Sequence, residues 1–486
     1  MDNRFYLTTT LPYVNADPHI GAAFEFVTAD IVARYKRLSG SEVFFNTGTD
    51  EHGQKVYLKA LEVNMDPQKY VDKYAEKFRE LKKTLNLSHD NFIRTTDEHH
   101  KKAAQEFWKR SAAKDDIEKK LYKAKYCAGC ELEKSDSDLV NGKCPEHPEQ
   151  EIQIIEEENY FFKFSNYEKK LLELYEKNPQ LVIPDFRFNE IKKFVERGLE
   201  DFSISRLKSK MPWGVPVPGD EEHVMYVWFD ALVNYISAIG WPEDMENFNK
   251  WWPVTQFAGK DQVRQQAAMW QAMLMSVGLP PSKQIVIHGF ITVGGEKMSK
   301  SVGNVINPND LVVQYDTDTL RYYLARHVHP FEDSDFTMEK FKEVYNANLA
   351  NGIGNLTARI MKLAETHLDE PVDLPKNLGR RTALKEELCD GKRTVLEERF
   401  YENFEVNKAA DLVWEHIGDL DKYIQEEKPF SIIKSDKEKG IEIIKNIVMK
   451  LYSIAQMLEP ILPETSEKIK NAVKQNKMPE PLFVRK

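Results

Sequence analysis

The sequence predicts an α/β protein with a parallel sheet, an inserted domain of different texture and a following α-helical bundle. In the first 50 residues a strand, a loop, a helix and a second strand follow one another, which is the repeating unit of a parallel sheet. Cysteines and prolines gather between about residues 114 and 218. Beyond about Glu339 strand signals nearly vanish and helical periodicity continues to residue 486, which is typical of a bundle.

The first elements are defined by residue type. Phe5 to Thr10 is rich in aromatic and β-branched residues, which favour a strand. The proline- and glycine-punctuated turn LPYVNADPHIG follows, then a helix from about Ala22 to Ser39 and a strand at Glu42 to Asn46. Helical signals return from Val224 through Tyr235, and strands are expected at 255–258 and 284–288. The pattern predicts a Rossmann-type parallel-sheet domain.

Composition excludes several classes of protein. No apolar run approaches the roughly 20 residues that a membrane span needs, and the N-terminal residues lack an export signal, so a cytoplasmic protein is expected. The net charge of −10 argues against indiscriminate nucleic-acid binding but leaves room for a specific RNA partner. Four cysteines in 486 residues are too few for a disulfide scaffold.

The cysteine cluster predicts a metal site from spacing alone. Cys127-x2-Cys130 is separated by 13 residues from Cys144-x2-His147. Two such pairs on tight turns can converge on a tetrahedral zinc ion, and four protein ligands make the site structural. The alternative is an accidental cluster of reduced thiols. Cys389 stands alone, and packing is the only role we expect for it.

Two short motifs suit phosphate chemistry. Asp17-Pro18-His19-Ile20-Gly21-Ala22 lies where a helix begins, and unpaired amides at a helix N-terminus attract phosphate. Lys297-Met298-Ser299-Lys300-Ser301 follows two glycines, and its lysines could clamp a triphosphate. Taken singly, the first could be an ordinary turn and the second a basic surface loop.

Together, PHIG and KMSKS resemble the two signatures of class I aminoacyl-tRNA synthetases. LPYVNADPHIGA, FNTGTDEHGQK, VWFDALVNYI, FAGKDQVR and HGFITVGGEKMSKSVGN resemble segments of the methionyl-tRNA synthetase family, from Phe5 to about Pro463. The resemblance implies a methionine–tRNA ligase. Such an enzyme activates L-methionine with ATP and Mg²⁺, forms methionyl-adenylate, and transfers the amino acid to the 3′ end of tRNA(Met).

The resemblance also implies site residues. Catalysis would involve His19, Lys297 and Lys300, and ATP would bind these three together with Gly21, Gly259, Asp261 and Ile291. The methionine pocket would comprise Leu11, Tyr13, Trp228, Ala231 and Tyr235, with Asp50 holding the ammonium group. Trp228, Ala231 and Tyr235 are spaced as one helix face, and aromatic walls suit a thioether, although the same spacing also describes an ordinary core stripe.

The anticodon would be bound in the helical region by Asn351, Asn355, Arg359, Pro429 and Phe430. The three polar residues are spaced by four on a helix, and amide, guanidinium and aromatic groups are what recognise single-stranded RNA. Without the resemblance, they would be interpreted as a solvated surface. The family also implies one zinc per chain, and a monomer is the default expectation.

Five segments are expected. They are the first half of the catalytic domain (1–113), a zinc-knuckle insertion (114–218), the second half of the catalytic domain (219–285), the KMSKS loop with its stem-contact region (286–338) and the anticodon-binding bundle (339–486).

The chain departs from the family pattern in three places. Ala22 replaces a histidine near the reacting phosphate, Phe430 replaces a tryptophan, and Gln262 and Gln265-Gln266 replace an apolar residue and an aromatic–histidine pair.

Two alternative functions remain open for the chain. A synthetase for isoleucine, valine or leucine would need a larger editing insertion. A non-catalytic relic that binds tRNA or a nucleotide would lack pyrophosphate exchange.

Overall fold

The strands are defined in a computed structural model that describes residues 3–130, 132–134, 138–298, 303–374 and 391–486. They are β1 (Arg4–Thr8), β2 (Glu42–Thr49), β3 (Asn91–Arg94), β4 (Ile117–Cys127), β5 (Leu132–Lys134), β6 (Gln153–Phe162), β7 (Val182–Ile183), β8 (Phe202–Ser203), β9 (Ser205–Leu207), β10 (Pro216–Val217), β11 (Asp220–Met225), β12 (Thr255–Gly259), β13 (Gln284–His288), β14 (Ile291–Val293), β15 (Glu296–Lys297) and β16 (Ser334–Phe336).

Helices connect the strands and fill the C-terminal region. They are α1 (Ile20–Leu38), α2 (Gln54–Glu62), α3 (Pro67–Thr84), α4 (Glu98–Ala113), α5 (Glu168–Lys177), α6 (Asp185–Glu196), α7 (Val227–Ala231), α8 (Asn234–Ser237), α9 (Met245–Trp251), α10 (Trp270–Ser276), α11 (Pro308–Gln314), α12 (Thr317–Arg326), α13 (Met338–Val344), α14 (Asn355–His367), α15 (Gly391–Glu402), α16 (Val406–Glu427), α17 (Pro429–Ser435), α18 (Lys437–Leu458) and α19 (Pro463–Gln475). None in the described ranges is long and apolar enough to cross a membrane.

The central sheet has the order β3-β2-β1-β12-β13-β7, and its neighbouring strands pair in parallel. Alternate side chains of a strand point to opposite faces, so the sheet separates two cores. One face carries Phe5, Leu7 and Val286 into the core beneath α1 and α12. The other face carries Tyr6, Ile285 and Ile287 into the core beneath α4 and α10. The Rossmann-type sheet is thus confirmed.

The segment predicted as an insertion contains a sheet of its own. The long strands β4 and β6 pair antiparallel, and β5 and β8 flank them. The tip of this sheet holds the cysteine cluster. Further along the same segment, β7 pairs with β13 at the edge of the central sheet. The predicted range therefore includes one short strand of the catalytic sheet as well as the knuckle.

Helices dominate after β16, as the sequence predicted. A single buried arginine joins this helical region to the sheet. Arg321 on α12 is fully buried, pairs with Asp30 on α1 at 2.8 Å, and donates to the carbonyls of Pro460 and Ile461 at 2.9 Å. It also donates to the Leu85 carbonyl at 2.9 Å. One side chain thus connects α1, the end of α3 and the α18–α19 turn.

Two local predictions differ from the structure. The segment from Val224 to Tyr235 is not one helix, because Val224 and Met225 end strand β11 and the rest forms two short helices. The segment that contains Asn351 is a π-helix, Tyr345–Gly354, with a kink at Gly352. A four-residue spacing across that kink does not place residues on one regular α-helical face.

Candidate active site and metal centre

A cavity of about 340 Å³ opens beside the carboxyl ends of β1, β12 and β13, where α1 begins. Ligands of open α/β sheets bind at such a switch point, because the chain leaves the sheet in opposite directions on either side of it. The cavity brings together eight of the predicted site residues. They are Leu11, Tyr13, His19, Gly21, Gly259, Asp261, Ile291 and Lys297. Lys300 lies outside the described residues.

His19 caps helix α1 and faces the cavity. Its Nδ1 accepts a hydrogen bond from the Gly21 amide at 3.1 Å. His19 is exposed at the cavity, yet the surrounding protein desolvates the ring and lowers its pKa, so the neutral form is favoured. A neutral imidazole that accepts at Nδ1 carries its hydrogen on Nε2. His19 can therefore donate a hydrogen bond into the cavity without carrying charge.

Glu25 and His288 form part of the cavity wall and were not predicted from the sequence. One Glu25 oxygen accepts from the Thr10 amide and hydroxyl at 2.6 and 2.7 Å, and the other accepts from His288 Nε2 at 2.8 Å. His288 Nδ1 lies 2.7 Å from the Gly289 carbonyl. Burial opposes the charge of His288, but the bond and attraction to Glu25 raise its pKa. The sequence signal for this pair was Glu25 itself, an acidic residue among mostly apolar residues on α1.

Asp261 follows β12 and remains open to solvent through the cavity mouth. The surrounding protein raises the pKa of its carboxyl group. Opposite it, two ammonium groups share the ring of Phe290, with Lys260 Nζ at 4.6 Å and Lys297 Nζ at 5.4 Å from the centroid. Lys260 also pairs with Asp333 at 2.6 Å. The cavity is therefore lined by an exposed carboxylate, that of Asp261, and by the positive charge of Lys297.

The predicted methionine residues fall in two groups. Leu11 and Tyr13 line the cavity, whereas Asp50, Trp228, Ala231 and Tyr235 are not among its lining residues. Asp50 is bridged to Tyr13 through the backbone, and its amide donates to the Pro12 carbonyl at 2.9 Å. Tyr13 and Trp228 both pack against the small cluster of Tyr126, Tyr226 and Val227. Asp50 thus adjoins the cavity through Tyr13.

Tyr235 lies deeper, in the core on the α4 side of the sheet, and only 2% of its surface is exposed. Its hydroxyl accepts a hydrogen bond from Gln266 Nε2 at 2.8 Å. The same nitrogen lies 3.3 Å from Gln262 Oε1, and Gln262 lines the cavity. The glutamines noted as departures from the family pattern therefore connect Tyr235 to the cavity wall.

The predicted metal ligands converge. The candidate ligand atoms of Cys127, Cys130, Cys144 and His147 all lie within 4.8 Å of one another. Cys130 Sγ is 3.4 Å from Cys144 Sγ and 3.2 Å from His147 Nδ1. Bonds of about 2.0–2.3 Å to a tetrahedral ion require donor atoms separated by this order of distance. At Gly129 a Cβ would strike the His147 ring, so only glycine fits there. The donor set suits zinc.

The knuckle that carries these ligands contacts the catalytic body around the cavity. Lys55 Nζ donates to the Gly129 carbonyl, and Arg264 lies 3.7 Å from Asp138. Lys55 follows the loop that contains Asp50, and Arg264 follows Asp261 by three residues. The knuckle therefore contacts the catalytic body both after the Asp50 loop and after the Asp261 segment.

The predicted anticodon residues are partly brought together. Arg359 and Phe430 line a second cavity of about 530 Å³, together with Lys362, Leu363 and Ile424. Phe430 is 52% exposed, and Arg359 pairs with Asp421 at 2.9 Å. Asn351 and Asn355 are exposed but are not among the residues that line this cavity, and Pro429 is buried.

The parallel sheet, with the His19 turn and Lys297 beside one cavity, is the arrangement expected of a class I aminoacyl-tRNA synthetase. The family model for tRNA synthetases class I (M) matches residues 5–154 and 148–361, and that for the anticodon binding domain of methionyl tRNA ligase matches 376–483. The chain belongs to the methionyl-tRNA synthetase family.

Curated relatives and solved structures agree with this assignment. The chain is 43% identical to the methionine–tRNA ligase of Thermotoga maritima, over 96% of this chain and 74% of that protein. It is 38% identical to that of Rickettsia bellii, over 96% and 92%. The structure of Mycobacterium tuberculosis methionyl-tRNA synthetase in complex with methionyl-adenylate matches with a TM-score of 0.89 and 34% identity, covering 99% of each chain.

Proposed function

We propose that this chain activates L-methionine with ATP to methionyl-adenylate and transfers it to the 3′ end of tRNA(Met). One observation carries the proposal. A single cavity is lined by the His19 turn, by Asp261 after β12, and by Lys297 at the start of the KMSKS loop. These segments lie far apart in the chain, and each provides a different group that ATP requires.

In the first step a carboxylate oxygen of methionine attacks the α-phosphorus of ATP in line. The new O–P bond forms as the bond from the α-phosphorus to the bridging oxygen breaks, and pyrophosphate leaves with the electron pair. His19 Nε2 donates to a phosphoryl oxygen, and Lys297 and Lys300 neutralise the pyrophosphate charge. Asp261 accepts from the ribose hydroxyls in the segment that begins at Gly259, Gly21 lets the nucleotide approach the backbone, and Ile291 lies against the adenine.

Magnesium bound with ATP would neutralise part of the phosphate charge. In the second step a terminal ribose hydroxyl of the tRNA attacks the carbonyl carbon of the adenylate. The ester forms, AMP leaves, and the hydroxyl proton is lost. Asp50 would hold the methionine ammonium group, and Leu11, Tyr13, Trp228, Ala231 and Tyr235 would surround its side chain.

The remaining parts support the same function. Zinc at Cys127, Cys130, Cys144 and His147 would be structural, because four protein ligands leave no position for substrate. We assign 1–113 and 219–285 to the catalytic domain, 114–218 to the knuckle insertion, 286–338 to the loop and stem-contact region, and 339–486 to the anticodon-binding bundle. A monomer in the cytoplasm remains our prediction.

Anticodon binding is proposed for Asn351, Asn355, Arg359, Pro429 and Phe430. The cavity shared by Arg359 and the exposed Phe430 supports this, because a guanidinium and an aromatic face suit an unstacked base. Lys362 in the same cavity adds positive charge for the phosphate backbone.

The proposal is tested by methionine-dependent exchange of labelled pyrophosphate into ATP, with isoleucine, valine, leucine and cysteine in parallel. Exchange with methionine alone is expected. Lys300→Ala should lower the exchange rate far more than methionine affinity, and the matched control is Lys101→Ala, a lysine paired with Glu98 on the surface of α4. If folded, zinc-loaded protein shows no exchange with any amino acid, the chain is instead a non-catalytic protein that binds tRNA or a nucleotide.

A further inference from the structure

The segment that follows strand β2 carries two adjacent acidic residues in different environments. Asp50 forms a backbone bridge with Tyr13 beside the cavity, and 5% of its surface is exposed. Glu51 is fully buried and is not among the residues that line the cavity. Burying a carboxylate costs free energy unless the group is paired and hydrogen-bonded. Glu51 must therefore obtain donors from within the protein.

Four donor groups surround the Glu51 carboxylate, and all come from β2 or from the segment at the end of β3. Arg94 binds it with two nitrogens, Nε at 2.6 Å from Oε1 and Nη2 at 2.8 Å from Oε2. The Thr49 hydroxyl donates to Oε1 at 2.6 Å, and the Thr96 hydroxyl donates to Oε2. Paired arginine–carboxylate bonds fix geometry as well as charge. The side chain of Glu51 is thus held in one orientation against the end of β3.

The backbone of Glu51 is held on both sides as well. Its amide donates to the Thr95 hydroxyl at 2.9 Å, and its carbonyl accepts from Trp213 Nε1 at 2.6 Å. The preceding residue, Asp50, donates its amide to the Pro12 carbonyl at 2.9 Å. Glu51 therefore anchors the segment to the end of β3, while Asp50 lies against the turn that borders the cavity.

Arg94 also balances the charge of Glu51. Its guanidinium contacts Glu51 at 2.6 Å and, on the outer side, Asp72 of α3 at 2.6 Å. The side chains of Arg94 and Glu51 are 19% and 0% exposed, so solvent screens their attraction only weakly. The charge of Glu51 is thus balanced by Arg94 and does not compete with Asp50 for a positively charged ligand.

We propose that Glu51 and Arg94 are positioning residues, which hold Asp50 where it receives the ammonium group of the amino-acid substrate. The inference rests on the proposed function, because it takes Asp50 as the ammonium-binding group. Neither Glu51 nor Arg94 is among the residues that line the cavity, so both act through Asp50. Loss of the pair should therefore weaken the recognition of the ammonium group and leave the recognition of the other substrate groups intact.

The test compares two competitive inhibitors of methionine-dependent pyrophosphate exchange, one with the ammonium group of methionine and one without it. These are methioninol and desaminomethionine. Glu51→Gln keeps the shape of the side chain but turns an amide group toward donors, which loosens the segment. The inhibition constant for methioninol should rise about tenfold, the value of one hydrogen bond to a charged group, while that for desaminomethionine stays constant. KM for methionine should rise in parallel, and KM for ATP should not.

Two further variants show whether the effect passes through Asp50. In an Asp50→Asn background, Glu51→Gln should add nothing to the methioninol constant, because the positioned carboxylate is already lost. Asp72→Asn is the matched control, since it removes the outer partner of Arg94 and leaves the contacts of Glu51 in place. Both inhibition constants should then stay at their wild-type values. A further loss in the double variant would contradict a role that passes through Asp50.

A milder variant keeps the test decisive if Glu51→Gln prevents folding. Thr96→Val removes one donor to Glu51 at nearly constant shape and should raise the methioninol constant alone, by about two- to threefold. An equal rise for both inhibitors, or no change for either in a folded variant, would overturn the positioning role and leave the proposed function standing. Absence of methionine-dependent exchange by the wild type would instead overturn the proposed function, and with it the ammonium-binding role of Asp50.

Discussion

Asp30 and Arg321 form an ion pair of 2.8 Å in which neither side chain is exposed to solvent. Burial opposes the charge of Asp30, but Arg321 and Arg34 lower its pKa. The guanidinium of Arg321 also satisfies carbonyls in the α18–α19 turn. The catalytic sheet and the helical region therefore share a charged contact. It stabilises the protein only when both parts are folded.

Arg321→Met should destabilise the protein by about 3–5 kcal/mol, because it removes one of the two arginines that pair with the buried Asp30 and leaves several buried carbonyls without their donor. The measurement is urea-induced unfolding followed by circular dichroism. Arg359→Met is the control, since its pair with Asp421 is exposed and such pairs contribute about 0–1 kcal/mol. Equal losses from the two variants would contradict the assigned importance of the buried pair.

Asp318 should make stability depend on pH. Burial raises its pKa to about 6, above the ordinary 3.8. The folded state therefore holds a proton that the unfolded state releases, and stability falls as pH rises from about 4 to 6. A shift of this size corresponds to about 3 kcal/mol. Thermal melts of wild type and Asp318→Asn should differ more at pH 7 than at pH 4, and a constant difference would contradict the assignment.

Removing one metal ligand should release the zinc. Cys144→Ser is expected to lose the metal, measured with a colorimetric chelator, and to make the β4–β6 sheet sensitive to protease. The sheet of the catalytic domain should persist, because its strands do not depend on the knuckle for pairing. Cys389→Ser is the matched control and should retain one zinc per chain, although Cys389 lies outside the described residues. Full zinc retention by Cys144→Ser would refute the ligand assignment.

Restoring the family's second histidine should speed adenylate formation. Ala22 is half-buried and lines the cavity beside His19. A donor to a charge that develops in the transition state is typically worth about 10²–10³ in rate, so Ala22→His should raise the kcat of pyrophosphate exchange by up to about that factor. Ala22→Leu supplies bulk without a donor and should not. If Ala22→Leu also exchanged pyrophosphate faster than the wild type, the gain in rate would come from packing and not from a hydrogen-bond donor.

Phe430→Ala should weaken tRNA binding without affecting amino-acid activation. Stacking of a base on an aromatic ring is worth about 1–3 kcal/mol, so KM for tRNA(Met) should rise about tenfold, while pyrophosphate exchange stays constant. Phe430→Trp should keep or tighten binding. Phe186→Ala removes another exposed phenylalanine, on α6, and should change neither measurement.

Much of the catalytic framework was predictable because it depends on local signals. The strands near residues 5, 42, 255 and 284 are short apolar runs between turns, and each appears in the central sheet. The metal ligands were predictable because their spacing alone restricts them to one site. His19, Asp261 and Lys297 were placed in one cavity by the resemblance, which carries three-dimensional information that spacing lacks.

Other features depend on contacts between distant residues and have no local signal. Glu25 is hydrogen-bonded to His288, which lies 263 positions away in the sequence. Arg321 donates to the carbonyls of Pro460 and Ile461, which lie 139 and 140 positions away. The helical region expected between Val224 and Tyr235 begins only after Met225, because Val224 and Met225 lie in β11, which pairs with β9 and β10. The glutamines at 262, 265 and 266 suggested a more polar pocket, but only the structure shows that Gln262 and Gln266 connect the cavity wall to Tyr235.

His19 performs two tasks with one ring, accepting from the Gly21 amide at Nδ1 and presenting Nε2 to the cavity. Serine or aspartate could replace it as a cap but would not reach the phosphate, and lysine would reach but could not accept. A single substitution at residue 19 therefore removes either the helix cap or the cavity donor, and no other side chain supplies both from that position.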